Sequence, residues 1–170
     1  ALVAAAPFAA VAQTYNFVDL GTLGGASSFA LDVNNLGWVT GNAQLAASQP
    51  APRLNGFLYT GGGLTNLGVL PGSNNFSRGY AINDQGVVVG ESDNNSSRAF
   101  VYANGVMTGL TRLAGDNDRG VAHDINNAGV IVGISSNGVA SRPTQWVNGV
   151  ASDLGSLDGL TTTTGRAWGI

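Results

Sequence analysis

The chain of 170 residues has no cysteine, no lysine and a single histidine. The missing cysteine excludes disulfide bonds, thiolate metal sites and cysteine nucleophiles. The seven basic residues are therefore all arginines, no two of which are adjacent, and the net charge is −3. This distribution excludes a polybasic surface for nucleic acid or for an anionic membrane.

Charge and long apolar runs are scarce as well. Charged residues make up 10% of the chain, against a usual value of about 25%, and no apolar stretch is long enough to cross a bilayer as a helix. Residues 1–13 are uncharged and mostly apolar, and Ala10-Val11-Ala12 has the form of a signal-peptidase site. We therefore expect a secreted or cell-surface protein. If the segment is retained, it forms a donated strand for assembly, with the apolar side chains Leu2, Val3, Phe8 and Val11.

A block of about 44 residues recurs along residues 14–170, which form the repeat domain. Its landmarks are Asn34, Asn83 and Asn126, each followed three residues later by glycine and then by an apolar stretch ending in Gly41, Gly90 or Gly133. Such a period is typical of solenoids, propellers and arrays. We place the repeats at roughly 26–72, 73–115 and 116–159, with a partial repeat at 160–170.

Each repeat has the pattern of two β-hairpins. In the second repeat, turns are predicted at Asn83–Gly86 and at Asn104-Gly105, between runs of β-branched and aromatic residues. Four short antiparallel strands in one repeat match the size of a propeller blade. We predict an all-β, propeller-like fold of four-stranded blades. Because three full repeats are fewer than the four to eight blades of a closed ring, an open solenoid or filament of blades is the alternative.

Three segments together resemble the bacterial extracellular HAF-repeat family: Asp19–Gly25, Ala81–Gly90 and Arg98–Tyr102. At the position of the family's name-giving histidine this chain has Asn55, Arg98 and Arg142. The resemblance implies a secreted or surface-attached bacterial repeat protein with a propeller-like fold. It implies no catalytic residues, because the family has none that are established.

Two candidate sites involve His123 and a pair of aspartates. His123 shares a repeat position with Leu31, Tyr80 and Trp168, so it is either a large side chain that packs or a ligand or general base. Its neighbour Asp124 should point to the opposite face of the strand. Asp116 and Asp118 are candidate Ca²⁺ ligands, since alternating oxygen ligands in a loop suit that ion, or they belong to a solvated turn. We expect no other cofactor.

Arginines and aromatic residues also recur at equivalent positions. Arg78 and Arg166 share one position, and Arg98 and Arg142 share another. These arginines either face an anionic ligand or pair with aspartates of neighbouring repeats. The aromatic position of Tyr80 and Trp168 indicates either core packing or an exposed ladder that stacks against sugars or a partner.

These observations favour a non-enzymatic scaffold or binding module of the cell surface or extracellular matrix. Its partners would be further copies of itself, other surface proteins or polysaccharide. A subunit of an extracellular fibre, assembled through residues 1–13 and open sheet edges, is the alternative. A hydrolase with a site on the propeller axis is the least favoured hypothesis, because no repeat breaks the pattern with convergent polar residues.

Overall fold

The computed structural model describes residues 14–46, 53–73, 76–93, 96–156 and 164–170. These residues form three four-stranded antiparallel sheets and no helix, which confirms the all-β prediction. No helix that could span a membrane occurs in these ranges. The predicted assembly residues Leu2, Val3, Phe8 and Val11 lie outside the described residues.

Each sheet is a simple meander in which every strand pairs with the next one along the chain. Sheet 1 contains β1 (Gly24–Val33), β2 (Val39–Leu45), β3 (Leu54–Tyr59) and β4 (Leu64–Gly68). Sheet 2 contains β5 (Phe76–Ile82), β6 (Val88–Asp93), β7 (Arg98–Ala103) and β8 (Val106–Gly109). Sheet 3 contains β9 (Arg119–Ile125), β10 (Ile131–Ser136), β11 (Ser141–Val147) and β12 (Val150–Asp153).

The hairpin turns are those that the sequence predicts. Asn104 and Gly105 have φ of 52° and 82°, and Asn148 and Gly149 have 51° and 78°. Two successive positive φ angles define the type I′ turn, whose twist matches that of the paired strands. The conformation explains why Asn-Gly recurs here, because these two residues tolerate positive φ.

The first strand of each sheet contains a β-bulge at the same repeat position. Leu31, Tyr80 and His123 are skipped in the pairing with the second strand, so each is an extra residue. A bulge bends its strand and redirects the side chain of the extra residue. The sequence pattern did not predict this irregularity.

The sheets pack face to face in chain order around apolar residues. Strands β2 and β3 lie against β5, and β6 and β7 lie against β9. The first strands of neighbouring sheets also contact each other, whereas the fourth strands are farther apart. The fully buried rings of Phe57, Phe100 and Trp146 fill the space within and between the sheets.

Asparagine turns link the three sheets at one end. The Nδ2 group of Asn34 donates to the Asn83 carbonyl at 2.9 Å, and the Nδ2 group of Asn83 donates to the Asn126 carbonyl at 3.2 Å. Within the second turn, Asn83 Oδ1 accepts from the amides of Gln85 and Val87. One side chain therefore closes its own turn and binds the next one.

Candidate functional site

One repeat position has large side chains at the bulges of the three first strands and in the segment 164–170. We call it the bulge row, and it consists of Leu31, Tyr80, His123 and Trp168. The rings of Tyr80 and His123 meet edge to face with 6.2 Å between centroids. His123 and Trp168 stack with 4.3 Å between centroids and 15° between planes. His123 therefore contacts the residues at the equivalent positions of the units before and after it, Tyr80 and Trp168.

Trp168 belongs to the segment 164–170, which lies on sheet 3 much as β9 lies on sheet 2. The Gly165 amide donates to the Ser141 carbonyl at 2.8 Å, as the Gly120 amide does to Ser97. Trp168 is 65% exposed, and one of its faces is covered by His123. The stacked imidazole of His123 therefore holds one face of the indole ring.

Aspartates on the first strands fix the spacing of the row. Asp124 accepts from its own neighbour, the Ile125 amide, and from the Ile170 amide of the terminal segment, both at 2.8 Å. Asp32 binds the amides of Val33 and Ile82 in the same way. Asp32 thus joins β1 to β5, and Asp124 joins β9 to the segment 164–170.

A buried carboxylate lies beside the row in sheet 2. Glu91 on β6 is 1% exposed, and its Oε1 accepts from the Tyr80 hydroxyl at 2.6 Å. Arg78 lies 3.5 Å from Oε1, and Arg119 of the next sheet lies 3.3 Å from Oε2. Two cations and a hydroxyl compensate for the desolvation of this carboxylate, as a buried charge requires.

The environment alters the acid–base properties of both titratable rings. Burial and then the hydrogen bond to Glu91 raise the pKa of Tyr80 above its usual value. Burial lowers the pKa of His123, and the nearby charge of Arg166 lowers it further. Because His123 Nδ1 lies 2.8 Å from the Ala167 carbonyl, which only accepts, Nδ1 carries the proton.

These contacts identify the role of His123. Its Nδ1 is used by the backbone, Trp168 stacks on one face of its ring, and Tyr80 meets the ring edge to face. Asp124 binds backbone amides and does not orient the imidazole. The geometry is that of a packed and hydrogen-bonded side chain, as in the first of the two interpretations from the sequence.

The predicted calcium residues have different partners. Asp116 Oδ1 lies 2.8 Å from Arg142 Nη2, and its side chain is 1% exposed. Asp118 uses its carbonyl to accept from Ser96 Oγ and from Arg112. Within the described ranges, no three histidine or acidic side chains are grouped so that they could hold a metal ion.

The four predicted ligand-facing arginines occupy three different environments. Arg142 bridges Asp116 and Asp153, so it serves in ion pairs. Arg98 is exposed on β7 and lies over Gly109, away from the row. Arg78 and Arg166 flank the bulge row: the first contacts Glu91, and the second lies 5.8 Å from the Trp168 ring centroid.

Sequence reasoning missed Glu91 and Arg119. A signal was present, because Glu91 occupies the position that Asn42 and Ile134 hold in the other sheets and is the only charged residue of the three. The structure shows that Glu91 lies within the buried strand β6, where two arginines neutralise its charge.

Comparisons with models of known protein families, with curated proteins and with solved structures find no match to this chain.

Proposed function

We propose that this chain is the repeat domain of a secreted, non-enzymatic scaffold or binding module of the cell surface or extracellular matrix. Its sheets would act as the blades of a propeller-like array, and the bulge row would be the binding surface. The apolar start of the sequence and the resemblance to HAF repeats support the assignment to the cell exterior.

This proposal rests on one observation: the polar groups of the site are already used in structural contacts. Glu91, Asp116 and the Nδ1 atom of His123 are each held in a structural contact. General acid–base chemistry needs a group that is within reach of a substrate and ready to exchange a proton. What the site leaves accessible is a stacked ring and partly exposed guanidinium groups, which bind and orient a partner.

The sheet packing supports a propeller-like arrangement. Sheets whose first strands lie close together and whose fourth strands diverge are arranged like blades around an inner edge. The inner edge of such an array contains the bulge row, since the bulges lie on the first strands. The direct contacts of Tyr80 with His123 and of His123 with Trp168 agree with this geometry.

A fibre subunit remains the second candidate because sheet 1 has an open apolar face. Phe29, Leu31 and Val33 on β1 are each about half exposed. A groove of about 480 Å³ runs between this strand and the residues Val18 and Leu20. The equivalent faces of sheets 2 and 3 are covered by the preceding sheet. Among the described residues, no other sheet covers this face of sheet 1, and exposed apolar faces associate with other surfaces.

Electron microscopy of the native particle tests the two arrangements. We expect a discrete ring with a central opening, completed by blades beyond these three sheets, because a closed ring needs four to eight. A continuous fibre whose subunits repeat along one axis would contradict the ring and establish the second candidate.

A further inference from the structure

The dipeptide Asn-Gly occurs four times in this chain, beginning at Asn55, Asn104, Asn137 and Asn148. Asparagine deamidates when the backbone nitrogen of the next residue attacks its side-chain carbonyl carbon. Glycine favours this attack because it has no Cβ to obstruct the nitrogen. The attack also requires an asparagine side chain that is free to turn and a glycine N–H that no hydrogen bond holds. The four sites differ in both of these respects.

Asn55 is buried in β3, and both of its reacting groups are held. Its Nδ2 group donates to Asn66 Oδ1 at 2.9 Å. The amide of Gly56 donates to Ser77 Oγ at 2.8 Å. Because β3 pairs with a strand on each side, attack at this site would require sheet 1 to open.

Asn137 is exposed in the turn before β11, but its reacting groups are held as well. Its Oδ1 accepts from the amides of Val139 and Ala140, both at 3.0 Å. The amide of Gly138 donates to Ser136 Oγ at 3.2 Å. Exposure alone therefore does not make this asparagine reactive.

Asn104 and Asn148 differ from the other two sites. Each begins an exposed type I′ turn that joins the third strand to the fourth, in sheet 2 and sheet 3 respectively. Among the described residues, neither asparagine side chain has a hydrogen-bond partner, nor does the N–H of the glycine that follows it. Both reacting groups are therefore free at these two turns.

We propose that Asn104 and Asn148 are the sites at which this protein deamidates. The nitrogen of Gly105 bonds to Cγ of Asn104, the Cγ–Nδ2 bond breaks, and ammonia leaves with the proton of the glycine N–H. The product is a cyclic imide, which water opens at either carbonyl to give aspartate or isoaspartate. Gly149 attacks Asn148 in the same way. The reaction consumes only water, so it needs neither a partner nor a cofactor.

The modification changes the charge and the loop length at the fourth-strand edge of two neighbouring sheets. Each conversion adds one negative charge to a chain whose net charge is −3. Isoaspartate also lengthens the backbone of a two-residue loop by one methylene group, which disturbs the type I′ turn. Because β8 and β12 each pair with a single strand, we expect the disturbance to be confined to these strands.

The test incubates the full chain at mildly alkaline pH and measures aspartate and isoaspartate at each of the four sites by peptide mapping and mass spectrometry. Asn104 and Asn148 should convert at least about tenfold faster than Asn55 and Asn137, because the fold protects the latter pair. The same chain unfolded in urea is the control. There the four sites should react at similar rates, since each has the same Asn-Gly sequence.

One variant tests the protection directly. Ser136→Ala removes the hydroxyl that holds the Gly138 amide, so it should speed the conversion of Asn137 and leave that of Asn104 unchanged. Equal rates at the four sites of the folded chain, or faster conversion at Asn55 or Asn137, would overturn the assignment. Aspartate without isoaspartate would overturn the cyclic imide, because direct hydrolysis by water yields aspartate alone.

Discussion

Gly90 lies directly opposite the bulge at Tyr80, with its α-hydrogen facing the carbonyl oxygen of Arg78. A Cβ atom built on Gly90 would lie 1.8 Å from that oxygen. Gly41 and Gly133 have the same relationship to Phe29 and Val121, at 1.9 and 2.0 Å. The glycine that ends each apolar stretch is therefore required by the bulge of the neighbouring strand.

The first prediction concerns this glycine. Gly90→Ala should lower the free energy of unfolding by more than about 2 kcal/mol, because the methyl group displaces a backbone carbonyl that cannot move without breaking the bulge. Gly62→Ala is the control, since a Cβ at that position meets nothing within 4 Å. It should leave stability unchanged or raise it by about 0.5 kcal/mol. Urea denaturation of both variants measures the difference, and equal stabilities would contradict the bulge geometry.

Local patterns in the sequence were enough to predict the turns and the four-strand unit. The Asn-Gly pairs at 104 and 148 determine their turns through positive φ, which few other residues tolerate. The bulges were not predictable in this way. Gly90 indicated that some close approach exists, but which strand approaches it depends on pairing in three dimensions.

The asparagine turns provide the second prediction. Asn34→Ala and Asn83→Ala should each destabilise the chain by about 1 kcal/mol more than Asn126→Ala. All three asparagines accept two hydrogen bonds within their own turns. Among the described residues, only Asn34 and Asn83 also donate a hydrogen bond to the next turn. Thermal unfolding ranks the variants, and equal losses would mean that the contacts between turns do not contribute to stability.

The third prediction concerns Tyr80 and its buried partner. Besides burial, the carboxylate of Glu91 holds the pKa of Tyr80 above its usual value of about 10. Glu91→Gln should therefore lower the pKa of Tyr80 and cost about 1–2 kcal/mol of stability, a modest loss because the exposed parts of Arg78 and Arg119 remain hydrated. Ultraviolet titration measures the phenol, with Tyr80→Phe identifying its contribution. A pKa that does not change would contradict the hydrogen bond.

The site itself was only partly predictable. The repeat period showed that His123, Tyr80 and Trp168 share one position. An exposed aromatic ladder was one of the two interpretations of that position. Contact between residues of different repeats was not visible, because it depends on how the sheets stack. Arg119 was missed for the same reason, since its partner Glu91 belongs to another sheet.

The fourth prediction is a pH dependence that originates from His123. Its folded-state pKa lies below the usual value of about 6.5, so the unfolded chain binds the proton more readily. Stability should therefore fall as the pH drops from about 6.5 toward the lowered pKa that His123 has in the folded state. His123→Phe keeps a ring in the row and should reduce this fall. Melting temperatures between pH 7.5 and 5 test it, and parallel curves for the two proteins would contradict the burial of the imidazole.

The stacking of sheets by their turns is the central claim, because it creates the bulge row. The side chains of Asn35 and Asp84 meet at 2.9 Å, and those of Asp84 and Asn127 meet at 2.8 Å. Since the chain has no cysteine of its own, paired cysteine substitutions report on these contacts alone. A disulfide requires Cα atoms within about 7 Å.

The most direct measurement is therefore the yield of intramolecular disulfide in three double variants under mild oxidation. Asn35→Cys with Asp84→Cys, and Asp84→Cys with Asn127→Cys, should form the bond in the monomer. Asn35→Cys with Asn127→Cys should not, because the middle turn separates them. Equal yields in all three variants, or links only between molecules, would contradict the stacking of the sheets and the row that depends on it.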